Sequence, residues 1–209
     1  MRKPTKKNTP PDHGKRLLRL VRKRGTLRAA EATAAGIPAV YLRRLTQRGQ
    51  LEQVARGIYR VADEAPGPHH GLAVVAARSP NATISLLSAL SFHGMTSQLP
   101  PEVWLTIHRK ARTPNLEWPP LHVTWSSGDA VDAGVEVHAI EGIPVRITTP
   151  ARTVADCFKY RSTVGLDVAL EALREYRSKR LGSMEELERS ARSCRVSRVM
   201  RPYLEALWS

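Results

Sequence analysis

The 209-residue sequence has little of what metal sites, disulfide frameworks and membrane spans require. It contains only two cysteines, Cys157 and Cys194, and their spacing suits neither a metal site nor a disulfide framework. No apolar run approaches the roughly 18 residues that a membrane-spanning helix needs. The first fourteen residues are polar and basic, unlike a secretory signal. We therefore expect a cytoplasmic protein without a membrane segment.

Acidic residues are scarce in the first part of the chain. The net charge is +14, from 33 Lys and Arg against 19 Asp and Glu. Residues 1–60 hold 16 of the basic residues but only three acidic ones, Asp12, Glu31 and Glu52, whereas residues 61–209 are nearly balanced. Such asymmetry indicates a polyanionic partner for the first part.

The composition divides the chain into three parts. Residues 1–13 are basic, rich in proline and almost without apolar side chains, so we expect a flexible arm. Lys3, Lys6 and Lys7 are its candidate DNA contacts. We predict a first domain over residues 14–65 and a second over residues 69–209, separated by the segment EAPGP.

The first domain shows the order of a winged helix-turn-helix. Thr26 is predicted to cap the second helix, and Pro38 to open the third. The predicted elements are helices over Gly14–Arg24, Leu27–Ala35 and Pro38–Arg48, then strands over Leu51–Val54 and Ile58–Val61.

The third helix is amphipathic. A wheel of 100° per residue places Pro38, Leu42 and Leu45 toward the core. Its outward face is predicted to read DNA bases in the major groove, since Arg suits guanine, Gln suits adenine and Val meets the methyl of thymine. That face consists of Val40, Arg43, Arg44, Gln47 and Arg48. Arg28 at the second helix and Arg56 in the hairpin are predicted to contact phosphates.

The second domain is predicted to be α+β, with a small mixed or antiparallel sheet and a helical C-terminus. Glu141-Gly142 has the form of a two-residue hairpin turn, and Thr149 precedes Pro150 as a helix cap. The predicted helices cover His69–Arg78, Ile84–Gly94, Thr149–Arg161, Leu166–Arg180, Ser183–Ser193 and Ser197–Trp208. The predicted strands cover Val103–His108, Leu121–Trp125, Val135–Ile140 and Ile143–Thr148.

Several short motifs resemble those of AbiEi-like proteins, the antitoxin and autorepressor components of type IV abortive-infection toxin–antitoxin systems. In the first domain they are Gly36-Ile37-Pro38, Tyr41-Leu42-Arg43-Arg44-Leu45 and Arg56-Gly57-Ile58-Tyr59. In the second they are Ser85–Leu90 with Phe92-His93-Gly94, Pro101–Trp104, Glu141–Val145 and Thr153–Arg161. The resemblance spans residues 14–180. It implies binding of operator DNA by the first domain and neutralisation of a nucleotidyltransferase-like toxin by the second.

Two alternatives remain open from the residues themselves. The first is a nucleic-acid-processing enzyme that is targeted by the first domain, with Asp129, Asp132 and Glu136 as candidate metal-binding residues. These residues lack the Glu-x-Lys and Asp-x-Asp patterns of nucleases and nucleotidyltransferases. The second is a pure protein-interaction module. We expect no enzyme activity, no metal and no cofactor, and the sequence leaves the oligomeric state open.

The remaining candidates of the second domain are interpreted as structural. His93 is predicted to be a hydrogen-bonded core residue. Arg152 and Asp156, spaced i and i+4, are predicted to form a surface pair worth about 0.2–0.5 kcal/mol. Core packing is expected for the tryptophans at positions 104, 118, 125 and 208.

Overall fold

A computed structural model describes residues 12–63, 65, 67–127 and 132–208. The chain divides into two compact units, Met1–Ala65 and Pro66–Ser209. The described part contains ten helices and eight strands, in agreement with the predicted α+β class. None of these helices combines the length and the apolar character that crossing a membrane requires.

The first unit is built from three helices and a small antiparallel sheet. Its elements are α1 (His13–Arg24), β1 (Thr26–Arg28), α2 (Ala29–Ala34), α3 (Val40–Gln47), β2 (Leu51–Ala55) and β3 (Ile58–Val61). The sheet order is β1-β3-β2. Asp12 caps α1, because its carboxylate accepts a hydrogen bond from the Lys15 amide at 3.1 Å. The core holds Leu17 and Val21 from α1, Leu42 and Leu45 from α3, and Leu27, Ala32, Ile37, Leu51 and Val61.

Three predictions for this unit are wrong in detail. Thr26 does not cap a helix, because Thr26–Arg28 pairs with Ile58–Arg60 of β3 as a strand. This pairing buries Leu27 and delays α2 until Ala29. Pro38 neither faces the core nor opens the third helix: it is exposed, α3 begins two residues later at Val40, and the preceding residue, Ile37, is fully buried instead.

The second unit is a five-stranded mixed sheet with helices. Its strands are β4 (Thr83–Ile84), β5 (Val103–His108), β6 (Leu121–Ser126), β7 (Val135–Ile140) and β8 (Ile143–Thr148). The order is β6-β5-β4-β8-β7, with β4 parallel to β8 and β5 parallel to β6. The helices are α4 (His70–Arg78), α5 (Leu86–Phe92), α6 (Pro150–Lys159), α7 (Arg161–Val164), α8 (Leu166–Ser178), α9 (Met184–Ser193) and α10 (Ser197–Trp208).

The helices of this unit cover two faces of the sheet. Gly71 of α4 lies beside Val103. Side chains alternate along a strand, so Trp104 points to the other face, where it joins the core of α5, α6 and α8. Ile84 lies in the central strand β4, which corrects its predicted place in a helix. The hairpin turn is confirmed, since Glu141 and Gly142 both have positive φ, 50° and 73°.

Candidate nucleic-acid interface

The outward face of α3 presents the side chains that were predicted to read DNA bases. Arg43, Arg44 and Gln47 are exposed, and Val40 is 47% exposed. Leu42 and Leu45, on the opposite side of the helix, are 2% and 4% exposed. Because these two leucines anchor α3 in the core, the polar face is held toward solvent. Arg48 is the exposed C-cap residue of the helix.

Tyr41 positions one of these arginines. Its ring is half-buried and packs against the ring of His13 from α1, with 5.1 Å between the centroids. The guanidinium carbon of Arg44 lies 5.6 Å from the centroid of the same ring, a cation–π distance. Tyr41 therefore packs at the flank of α3. The contact restrains the Arg44 side chain on the outward face.

Two further predicted residues lie at one end of the small sheet. Arg28 is exposed and pairs with Ile58 in the β1–β3 ladder. The next amide, of Ala29, donates to the Gly57 carbonyl at 2.8 Å, which fastens the start of α2 to the β2–β3 turn. Arg56 is exposed in that turn. The sheet therefore brings Arg28 and Arg56, which are 28 residues apart in sequence, to the same end.

The three carboxylates of residues 12–60 have partners away from the α3 face. Glu31 accepts from Arg24 at 3.1 Å, and Glu52 pairs with Arg60 at 2.9 Å. Asp12 accepts from the Lys15 amide, which lowers the pKa of its carboxyl group. Within the described residues, Arg43, Arg44 and Arg48 form no ion pair with any of them. The positive charge of the α3 face is therefore not neutralised by the carboxylates of this segment that the structure describes.

The two candidate acidic residues of the second unit that the structure describes each lie beside a basic side chain. Asp132 is exposed and pairs with Arg146, while Glu136 lies on β7 with its carboxylate 3.3 Å from His138. Asp129 lies outside the described residues, as do Lys3, Lys6 and Lys7. No three His, Cys, Asp or Glu side chains of the described chain are grouped so as to hold a metal ion.

His93 is hydrogen bonded, as predicted. Its Nε2 lies 2.7 Å from the carbonyl oxygen of Thr148, so this nitrogen carries the proton. Burial is the main cause of a lowered pKa for the imidazole. The group is therefore held neutral inside the second unit.

Two structural expectations for this unit are corrected. Arg152 and Asp156 do pair, at 2.8 Å, but both side chains are only 6% exposed, so the pair is buried rather than superficial. Trp104 is 6% exposed and packs as predicted, whereas Trp118 and Trp125 are 54% and 53% exposed. Trp125 lies on β6, which is an edge strand of the described sheet.

Sequence reasoning assigned no role to the basic residues of α1. Arg16, Arg19 and Lys23 are all exposed on this helix. Their spacing of three and four residues could have shown that they share one face. The pattern was visible in the sequence, but the acidic residues available to neutralise it could be located only in the fold.

Comparisons with known proteins bear on both units. Residues 15–62 match the model of a family described as "Transcriptional regulator, AbiEi antitoxin", which confirms the predicted resemblance over that segment. A crystal structure of the RV2827C protein from Mycobacterium tuberculosis superposes with a TM-score of 0.56. It is 17% identical, and the match covers 90% of this chain and 75% of that chain. At this identity the likeness concerns the fold alone. Comparison with curated proteins finds no match.

Proposed function

We propose that residues 14–65 form a winged helix-turn-helix domain that binds duplex DNA. In this proposal α2 and α3 are the helix-turn-helix, and the β2–β3 hairpin is the wing. The observation that carries it is the outward face of α3, where arginines and a glutamine stand exposed without a described acidic partner. The family match over residues 15–62 supports the same domain.

The proposed recognition uses α3 in the major groove. Arg43 and Arg44 each offer the paired donors that suit O6 and N7 of guanine, and Gln47 suits adenine. Val40 supplies an apolar surface for a thymine methyl. Arg48 extends the base-reading face at the C-terminal end of α3, and Arg28 and Arg56 contact phosphates at the edges of the groove. These contacts orient the domain on the duplex without reading its sequence.

We further propose that the protein is a transcriptional repressor of its own operon and an antitoxin. The description of the matched family supports both roles. Residues 69–209 are then the domain that counteracts a nucleotidyltransferase-like toxin, in the cytoplasm. The basic arm of residues 1–13 is proposed to add phosphate contacts through Lys3, Lys6 and Lys7. No observation in the described residues favours the alternative of a nucleic-acid-processing enzyme.

Two measurements of DNA binding, the sequence preference and the general affinity, distinguish residues proposed to read bases from residues proposed to contact phosphates. Arg44→Ala should lose discrimination at one base pair, about 1–3 kcal/mol, while Arg56→Ala should weaken binding to every duplex alike. Binding of the full chain to a randomised duplex pool, followed by sequencing of the bound fraction, measures the preference. Arg174→Ala, at an exposed position of α8, is the matched control and should bind as wild type does. An Arg44→Ala protein with unchanged preference would refute the placement of α3.

The antitoxin role has a separate test. A nucleotidyltransferase-like toxin encoded beside this gene should arrest growth when expressed alone, and co-expression of the full chain should restore growth. Restoration by the Arg44→Ala variant as well would show that neutralisation does not depend on base recognition. If wild-type protein failed to relieve the toxin, the antitoxin role would be withdrawn and DNA binding would stand on its own test.

A further inference from the structure

We propose that the outward face of α1 binds phosphates of the same duplex that α3 enters. This inference rests on the proposed function of α3. We define the α1 cationic face as Arg16, Arg19 and Lys23, all exposed, with Lys15 and Arg22 at its margins. The proposal extends DNA contact to a surface that lies outside the base-reading helix, its turn and the wing.

The packing of α1 fixes which way this face points. At about 100° per residue, Arg16, Arg19 and Lys23 lie within a sector of roughly 60° around the helix axis. Leu17 and Val21 project from the other side and are fully buried, each with 0% exposure. The two apolar anchors therefore hold the α1 cationic face toward solvent. At a rise of 1.5 Å per residue it is about 10 Å long, an axial length over which one DNA strand carries about three phosphates.

The charge of this face is not neutralised within the described chain. The ion pairs of α1 join Lys15 to Asp12 at 3.4 Å and Arg24 to Glu31 at 3.1 Å. Neither involves Arg16, Arg19 or Lys23, and the helix itself contains no acidic residue. Like charges three and four residues apart destabilise a helix. A bound polyanion would relieve this repulsion and, on binding, would release its own counterions.

Contacts inside the first unit connect the N-terminal turn of α1 with α3. The ring of His13, in the first turn of α1, packs on Tyr41 in the first turn of α3. Arg44 lies over the same tyrosine ring. The N-terminal turn of α1 is thus a neighbour of the proposed base-reading surface. A duplex in contact with Arg44 has a sugar–phosphate backbone flanking that groove, which makes DNA a better-supported occupant than an acidic protein.

The salt dependence of DNA binding tests the proposal with matched variants of the full chain. The test variant is R16Q/R19Q/K23Q, in which glutamine keeps helix propensity but removes three charges. The control is R109Q/K110Q/R112Q, which removes three charges from the exposed turn after β5. Each lost phosphate contact should lower the slope of log K against log salt by about 0.9. At 0.15 M salt this corresponds to about fivefold per contact, or roughly 100-fold for three.

We expect the test variant to lose slope and affinity while its base preference stays that of wild type. The control should keep the wild-type slope, since net charge alone would affect both variants equally. R16K/R19K should also keep it, because lysine retains the charge. In ethylation interference, phosphates contacted by α1 should inhibit wild type when modified but not the test variant, whereas phosphates contacted by Arg28 and Arg56 should inhibit both.

Two results would overturn the proposal, and they can be told apart. If the test variant folds, as judged by thermal unfolding, and retains the wild-type slope, then α1 makes no phosphate contact although α3 binds DNA. The α1 cationic face would then bind an acidic protein or no ligand at all. If wild-type protein binds no duplex even in dilute salt, the proposed function of α3 fails, and the role of α1 fails with it.

Discussion

Removing the carboxylate of Asp156 should strongly destabilise the second unit. Nε of Arg152 donates to Oδ2 of Asp156 at 2.8 Å, and another of its nitrogens donates to the carbonyl of Ala133 at 2.9 Å. The thiol of Cys194 lies 3.4 Å from the second carboxylate oxygen. With both charged side chains only 6% exposed, Asp156→Ala removes a buried carboxylate that the guanidinium contacts directly. The expected cost is about 3–5 kcal/mol.

Chemical denaturation, monitored by tryptophan fluorescence, measures the loss in the free energy of unfolding for the second unit alone. All four tryptophans lie beyond residue 100, so the emission reports on the second unit and not on the first. The matched control is Glu188→Ala, which breaks another i,i+4 pair, with Arg192 at 3.5 Å. Those side chains are 52% and 62% exposed, and such a surface pair contributes about 0–1 kcal/mol.

A double variant separates charge burial from packing. R152M/D156A removes both charges and keeps an apolar side chain in place of the guanidinium. Replacement of a buried pair by apolar residues is often tolerated, so this variant should recover much of the stability that Asp156→Ala loses. If Asp156→Ala cost no more than Glu188→Ala, the pair could not lie in the desolvated environment that the structure gives it.

Three further outcomes can be checked. Burial lowers the pKa of His93 below 6.5, so the unfolded chain takes up a proton at a higher pH than the folded chain does. The free energy of unfolding should therefore fall as the pH drops below about 6.5. His93→Gln should flatten that dependence, as measured by fluorescence-monitored denaturation. Burial raises the pKa of the Cys194 thiol to about 12, and it also raises the pKa of the Cys157 thiol. Neither thiol should therefore react with a thiol reagent at pH 8 until denaturant is added. Labelling of the native protein would contradict this. Gly57 has a φ of 75°, and an added Cβ would meet open space, so Gly57→Ala should cost about 1 kcal/mol of backbone strain. The loss should appear as a lower unfolding midpoint of the first unit in circular dichroism. The control Gly14→Ala, in a helix, should show no such loss.

The elements that sequence reasoning placed well are those with local determinants. The Glu141-Gly142 turn follows from a glycine, which adopts positive φ readily, between two strand-like segments. The helix after Thr149 begins where a hydroxyl accepts the Arg152 amide and Pro150 occupies the first position. The strands Val103–His108 and Val135–Ile140 match their predicted bounds, since four to eight residues suffice to show their character.

The candidate DNA-binding surface was predictable in part for the same reason. Leu42 and Leu45 recur with the helical period, so the placement of Arg43, Arg44 and Gln47 on the opposite face follows from spacing alone. The pairing of Arg24 with Glu31 does not follow from spacing, because it depends on how α1 and α2 meet, whereas Glu52 meets Arg60 as its cross-strand neighbour in the β2–β3 hairpin. Only the fold therefore shows which cations keep their charge.

By itself, the sequence determined the helical periods, the cap at Thr149, the hairpin turn and the concentration of positive charge in the first 60 residues. Tertiary structure decided the strands Thr26–Arg28 and Thr83–Ile84, because segments of two or three residues have no period of their own and obtain their hydrogen bonds from distant partners. It also decided that Arg152 is buried and that Trp118 is exposed. Burial depends on what packs over a side chain, and that is fixed by residues far away in the chain.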